Sequence, residues 1–403
     1  MPSERHEGES MKITQIVTTV VGTPWRELTF VELETDDGRV GVGEVRMVNK
    51  TETLLAAISE LGDRYVIGSD PFDVERIAGG VLWKEYGRAG EVAQSALAAI
   101  DIACWDLIGQ ACGQPVWRLL GGRFRDTVPA YANGWYQGDR EPEAIAELAR
   151  TVVARGYRGL KLDPFGAATA ELSEAELRRS VTIVSAVREA VGDDVQIMVE
   201  MHGRFRSATA IRAAGALEHL SPTWIEEPVP PGNVHGLRNV RRATRLPIAT
   251  GERIHELEEL APLLEEGLVD TVQVDMTHFG GFTGVRRVAA WASAYNVPVA
   301  PHNVCGPVGT AANVHLGVAT PNFQILEHFN DFADSWVLDL VDAPLTVDPV
   351  SGGFAVPERP GLGVRLDRER AAEHPSNGAT FNLFAVGSER RDGTPLTASI
   401  ASH

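Results

Sequence analysis

The feature that most restricts the fold is a repeat beginning near Val128, in which short β-branched runs alternate with roughly 12 to 18 residues of amphipathic helical pattern. Eight such runs can be placed: Val128–Ala132, Arg158–Leu162, Val195–Val199, Thr223–Ile225, Pro247–Thr250, Thr271–Val274, Val297–Ala300 and Gln324–Leu326. Eight parallel strands alternating with helices over about 200 residues close into a (β/α)8 barrel more readily than they form an open sheet, which has fewer units. The class expected is α/β, a (β/α)8-type barrel.

The first part of the chain has a different texture. An apolar strand pattern at Ile13–Val21 is followed by two alternating stretches between Phe30 and Val45. These flank Thr35, Asp36, Asp37 and Gly38, a hairpin turn signature. From Thr51 to about Gly113 the period becomes helical, ending in SALAAIDIACWDLIGQACG, where Gly113 can stop the helix. An α+β capping domain over 11–125 is expected, then the barrel over 126–350. A Pro- and Gly-rich return to the capping domain should occupy 351–385, with polar tails at 1–10 and 386–403. GVGE at Gly41–Glu44 lacks a following helix and reads as hairpin, not as a nucleotide loop.

Composition excludes several roles. A net charge of −18 repels nucleic acid and anionic membranes. No apolar run is expected to reach the length of a membrane span, and MPSERHEGES lacks a signal-peptide core. The three cysteines are too few for a disulfide framework, and Cys104 and Cys112 sit in an apolar helical pattern that predicts buried thiols. A cytoplasmic homo-oligomer acting on a small molecule is the expectation.

Catalytic groups of such a barrel sit where strands end, because there the side chains enter the mouth formed by the βα loops. Here the strand ends carry Lys161 and Asp163, Glu200 and His202, Glu226 and Glu227, Glu252, Asp275, His302, and Glu327. Charged side chains are rarely buried unless paired or bound to metal. Glu200, Glu226 and Glu252 recur every 26 residues, one βα unit per step, so that adjacent strands present three carboxylates to one point. Three hard oxygen ligands suit Mg²⁺ better than Zn²⁺, one ion per subunit. Glu227, directly after Glu226, points the other way and is expected in a structural salt bridge.

His302 ends its strand in VPVAPHNVCGP beside Asp275 of the preceding strand, and an Asp that fixes the tautomer of a His makes it a candidate general base. His202, two residues beyond Glu200, is placed to hydrogen-bond a substrate hydroxyl, with a supporting role as the alternative. Lys161 is the only Lys after Lys84; it can bind a substrate carboxylate or an enolate, or simply pair with Asp163. Asp163, Arg204, Trp25, Arg26 and Asn49 are the candidate substrate contacts, the last three on capping-domain loops. His278 is read as structural.

SALAAIDIACWDLIGQACGQPVWRLLGG, IEEPV, ATGER, the Asp275 strand, APHN and ILEHF, in this order, resemble the mandelate racemase branch of the enolase superfamily over nearly the whole chain. The resemblance implies metal ligands at Glu200, Glu226 and Glu252, a His302–Asp275 dyad as base, Glu327 as a hydrogen-bonding partner of the enolate, and Mg²⁺ as cofactor. It also implies that capping-domain loops govern substrate choice. Racemases of this branch carry Lys-x-Lys where this chain has Lys161-Leu162-Asp163, and many relatives have Asp in place of Glu200. The run Glu200-Met201-His202-Gly203-Arg204 with KLDPF resembles the sugar-acid dehydratases, which implies His202 as the acid. The expected reaction is removal of water from an acid sugar to give a 2-keto-3-deoxy acid; an epimerase or cycloisomerase using the same enolate, or a non-catalytic binding relative, are the alternatives.

Overall fold

The computed structural model describes residues 11–138 and 140–381. The polar segments 1–10 and 386–403, expected as tails, lie outside the described residues. Strands β1 (Ile13–Gly22), β2 (Glu27–Thr35) and β3 (Val40–Val45) form an antiparallel sheet in that order. The β2–β3 turn closes where Gly38 donates its backbone N–H to the Thr35 carbonyl at 3.0 Å. Helices α1 (Thr51–Leu61), α2 (Val74–Gly79) and α3 (Gly90–Cys112) follow, and α3 packs along β3.

Period-two alternation sorts β3 between two neighbours. Gly41 and Gly43 lie against the α3 backbone at Ala103 and Ala99, so closely that a Cβ on either would overlap a carbonyl oxygen. Val42 and Glu44 face the other way, Val42 into the barrel's core and Glu44 onto barrel backbone. Gly43→Ala should therefore force sheet and helix apart and cost about 1–3 kcal/mol, read as a lower midpoint in thermal or urea unfolding.

Helix α3 is 23 residues long and, by length and apolar content, long enough to cross a membrane. This corrects the expectation that no run reaches that length: most of the helix is buried inside the protein, as a core helix is. Gly113, with φ 62°, ends it in the left-handed conformation. Cys104 is buried as expected, but Cys112 is exposed, because as the last helical residue it lies beyond the packed turns.

After the short helix α4 (Val116–Leu119) the chain enters the barrel. The repeat runs β4 (Thr127–Ala132), α5 (Pro142–Ala154), β5 (Gly159–Leu162), α6 (Glu174–Val191), β6 (Gln196–Glu200), α7 (Ser207–Leu217), β7 (Trp224–Glu226), α8 (Val234–Ala243), β8 (Ile248–Thr250), α9 (Leu257–Glu265), β9 (Thr271–Val272), α10 (Gly281–Ala294), α11 (Pro307–Ala319) and β10 (Leu326–His328). Ser173 and Glu176 start α6 with a reciprocal capping box. Strands β4 to β9 are parallel neighbours in sequence order, and β10 pairs with β4 to close the ring.

The seventh position departs from expectation. Val297–Ala300 makes no full strand; Val299 alone bridges to Val272 on one side and to Phe323 on the other. Pro298 and Pro301 bracket it and have no N–H to donate, so the ladder cannot extend. The eighth strand, expected at Gln324–Leu326, lies at Leu326–His328.

Beyond the barrel, β11 (Val347–Asp348) and β12 (Gly353–Ala355) form a hairpin whose β12 still pairs with barrel strand β4. The chain then runs back along the capping domain through α12 (Arg368–Glu373). Val116 donates to the Gly361 carbonyl at 3.0 Å, Leu362 donates to Asp106 at 2.8 Å, and Arg368 pairs with Glu32 at 2.7 Å.

Candidate active site

Inside the barrel Tyr131, Met198, Trp224, Ala249, Ala300 and Ile325 form one apolar layer. Alternation places the side chain two residues later directly above that layer, at the mouth. In this way Met198 leads to Glu200, Trp224 to Glu226, Ala300 to His302 and Ile325 to Glu327; Tyr131 leads to Asn133. Strand β8 breaks the rule, since Glu252 stands three residues after Ala249. Gly251, at φ 145°, makes the extra turn, and there a Cβ would lie 2.8 Å from the Gln273 nitrogen.

Glu200, Glu226 and Glu252 offer carboxylate oxygens that all lie within 4.8 Å of one another. Lys161 reaches into the group, with its ammonium 2.6 Å from Glu226, 2.7 Å from Glu327 and 3.4 Å from Glu200. The pairing of Lys161 with Asp163 that the sequence left open is not the one observed. Burial alone would raise the Glu226 carboxyl, but the charge of Lys161 and the hydrogen bonds from Lys161 and Gln273 together hold the group low. Burial and the charge of Glu226 push Glu200 well above the usual range, against the pull of Lys161. One ammonium thus serves too many carboxylates, and Glu200 Oε2 is buried without a hydrogen-bond partner among the described residues. Such an arrangement fits a divalent cation, which would neutralise the surplus charge and take the orphaned oxygen.

Two groups in this network gave no sequence signal on their own. Gln273 donates to Glu226 Oε2 at 2.9 Å, and Asn133 donates to Glu327 Oε1 at 2.6 Å. Each was accessible to the alternation, Gln273 two residues before Asp275 and Asn133 two after Tyr131. Neither bears a charge that needs neutralising, and charge was the signal followed.

His302 Nδ1 lies 2.6 Å from Asp275 Oδ2. Asp275 Oδ1 accepts from the Thr277 amide and hydroxyl, both at 2.7 Å, so the carboxylate is held on both oxygens. This leaves His302 Nε2 facing the carboxylate group, 3.4 Å from Glu252 and 4.0 Å from Glu327. Burial would lower the imidazole's affinity for a proton; Glu327, Glu252 and Asp275 reverse the sign and raise it. Glu327 Oε2 also accepts from the Asn303 amide at 2.9 Å.

His202 comes from the loop after β6, four strand positions around the ring from the His302 segment. His202 and Gly203 take left-handed φ values of 50° and 61°, a tight turn in which the His202 amide donates back to Glu200 and Gly203 donates to the Glu227 carbonyl. The imidazole Nδ1 lies 2.7 Å from Asp163 Oδ2, and its side chain keeps 19% exposure. Arg204 donates to both oxygens of Asp163. Burial would raise the Asp163 carboxyl, but Arg204 and His202 hold it below the usual range. Asp163 and Arg204, candidate substrate contacts by sequence, are thus engaged with His202.

Glu227 behaves as expected for a group pointing away: it accepts from Thr250 and Gly251 and pairs with Arg253 at 3.2 Å. Structural too is His278, whose Nδ1 lies 2.8 Å from the Ser95 hydroxyl in the domain interface. The capping-loop candidates take these places: Arg26 is buried, donates to the Val304 carbonyl, and stacks over Trp25 at 4.4 Å and Phe329 at 5.0 Å. Asn49 exchanges two hydrogen bonds of 2.7 Å with the Phe381 backbone. Glu44, read as mere hairpin, bridges the domains; its carboxylate accepts from the Gly306, Val308 and Gly309 amides at the start of α11.

Comparison with known proteins agrees with this geometry. Residues 7–121 match the mandelate racemase/muconate lactonizing enzyme N-terminal domain, and residues 144–371 match the enolase C-terminal domain-like family. A D-gluconate dehydratase of Thermoproteus tenax is 41% identical over 85% of this chain and 69% of its own length. A D-galactonate dehydratase of Klebsiella pneumoniae is 34% identical over 90% of this chain and 94% of its own. Among solved structures, a mandelate racemase/muconate lactonizing enzyme-like protein from a Roseovarius species superposes with a TM-score of 0.86 at 34% identity, covering 91% of this chain and 96% of that one. With one family model matching the capping domain and the other matching most of the barrel, the chain belongs to the mandelate racemase/muconate lactonizing enzyme family of the enolase superfamily.

Proposed function

We propose that the protein is a Mg²⁺-dependent dehydratase of acid sugars. The observation that carries this reading is one mouth holding three convergent carboxylates with Lys161, an Asp-backed His302 on one side, and an Asp-backed His202 across from it. The relatives named as gluconate and galactonate dehydratases support the substrate class.

Glu200, Glu226 and Glu252 would hold the metal, which when bound supplies Lewis-acid stabilisation of the substrate carboxylate as negative charge builds on it. Lys161 adds a fixed positive charge beside the same oxygens. His302 Nε2 takes the proton from the carbon α to the carboxylate, and the electron pair of that C–H bond moves toward the carboxyl carbon. Glu327, held by Asn133 and Asn303, would hydrogen-bond the enolised acid. As the electrons return, the bond to the β-hydroxyl breaks, and His202 delivers a proton to the departing oxygen so that water leaves. The enol that remains becomes the 2-keto-3-deoxy acid. Because the two histidines stand across the ring, the geometry favours loss of proton and hydroxyl from opposite faces of the substrate.

His202→Asn separates these steps. The variant should exchange the substrate's α-proton with solvent deuterium while releasing keto acid about 10²- to 10⁴-fold more slowly than the wild type. NMR for exchange and a keto-acid assay read the two separately. Keto-acid release at the wild-type rate would leave His202 with a binding role only.

A further inference from the structure

We propose that Gln273 and Trp224 make the carboxylate group select Mg²⁺ over Ca²⁺, by holding Glu226 so that it can give a cation only one of its two oxygens. The inference rests on the reading of Glu200, Glu226 and Glu252 as metal ligands, and it names the residues that set which cation they accept.

Two donors converge on one atom. The Trp224 indole N–H and the Gln273 side-chain amide each donate to Glu226 Oε2 at 2.9 Å. A carboxylate oxygen has about two lone-pair sites, so both sites of Oε2 are taken by protein. Oε1 accepts from Lys161 at 2.6 Å and keeps its other site for a cation. Neither donor can readily turn away. Trp224 is 1% exposed, and its ring stands edge-on to Tyr131 at 5.8 Å within the apolar layer beneath the mouth. Gln273 is as deeply buried. Its backbone is fastened on both sides, donating to the Thr250 carbonyl at 2.9 Å and accepting from the His302 amide at 3.4 Å.

Gln273 also carries a cost that packing does not explain. Its Oε1 is buried without a hydrogen-bond partner among the described residues. A methionine would fill similar space with no orphaned oxygen, so what the amide adds is its N–H on Glu226. Cations differ in what they ask of such a carboxylate. Ca²⁺ takes about six to eight oxygens at flexible angles and often both from one carboxylate, whereas Mg²⁺ demands a near-octahedral array and keeps several of its waters. A Glu226 limited to Oε1 therefore suits the smaller ion. Glu200 adds to the restriction: its Oε1 accepts the His202 amide, which leaves Oε2, 3.4 Å from the Lys161 ammonium, as the atom without a hydrogen bond. Selectivity then comes from denying the larger ion a ligand that it could otherwise use.

Titration calorimetry of the metal-free protein with Mg²⁺ and with Ca²⁺ tests this on the wild type, Gln273→Met, Trp224→Phe and the double variant. The wild type should bind Mg²⁺ more tightly. In each single variant the ratio of the two Kd values should move toward Ca²⁺ by about 10-fold, and in the double variant further. Loss of packing alone would weaken both cations alike and leave the ratio where it was. The two substitutions fall on different strands, so if one variant fails to fold the other still decides. An unchanged ratio in every variant that folds, or a wild type that binds Ca²⁺ as tightly as Mg²⁺, would overturn the proposal. A wild type that binds neither cation would overturn the metal assignment itself, and this inference with it.

Discussion

His302→Asn should reduce keto-acid formation by about 10³-fold or more and should abolish α-proton exchange with solvent. The asparagine can still hydrogen-bond Asp275, so the fold and the carboxylate group should persist, but it cannot accept a proton. Loss of both readouts is the signature of a base, and it distinguishes His302 from His202, whose variant should keep exchange. Asp275→Asn should slow both steps together by about 10²-fold or more, because the amide no longer fixes the Nδ1–H tautomer or stabilises the imidazolium. Binding of Mg²⁺, followed by calorimetry, should be unchanged in His302→Asn. Exchange persisting at the wild-type rate in that variant would place the base elsewhere, with Lys161 the first residue to test.

Removal of divalent metal with a chelator should bring turnover to the background level, and Mg²⁺ should restore it. Without the metal, burial and the repulsion of neighbouring carboxylates together push Glu200 toward its protonated form, and Lys161 neutralises only part of the charge. Metal binding should therefore release protons and raise the melting temperature, since a ligand bound only by the folded state stabilises it. Glu226→Gln should remove activity and most of that thermal shift, because it takes one oxygen ligand and the partner of Lys161 at once. Full activity in metal-free buffer, or an undiminished thermal shift in Glu226→Gln, would overturn the metal assignment.

The barrel was legible because its signal is local. Each strand declares itself by a few β-branched residues and each helix by its apolar stripe, and neither depends on the rest of the chain. The convergence of Glu200, Glu226 and Glu252 followed from the same regularity. Strand seven was overdrawn, since the two prolines that flank Val299 look apolar in a pattern yet withhold donors from the ladder. Cys112 was misplaced because a helical period does not reveal where the covering neighbour ends.

By itself, then, the sequence determined the (β/α)8 architecture, the capping hairpin and helices, and the set of ionisable groups brought to the barrel mouth. Tertiary structure decided which of those groups meet. Lys161 is two residues from Asp163 and 65 from Glu226, yet it pairs with the distant one, because alternation sends Lys161 inward and closure of the ring brings β7 within reach. Glu44 crosses 262 residues to the amide of Gly306, and nothing in GVGE foretells a helix start waiting there. Local periodicity fixes the elements, whereas pairing between elements depends on closing loops of the chain, and that information resides in the packed whole.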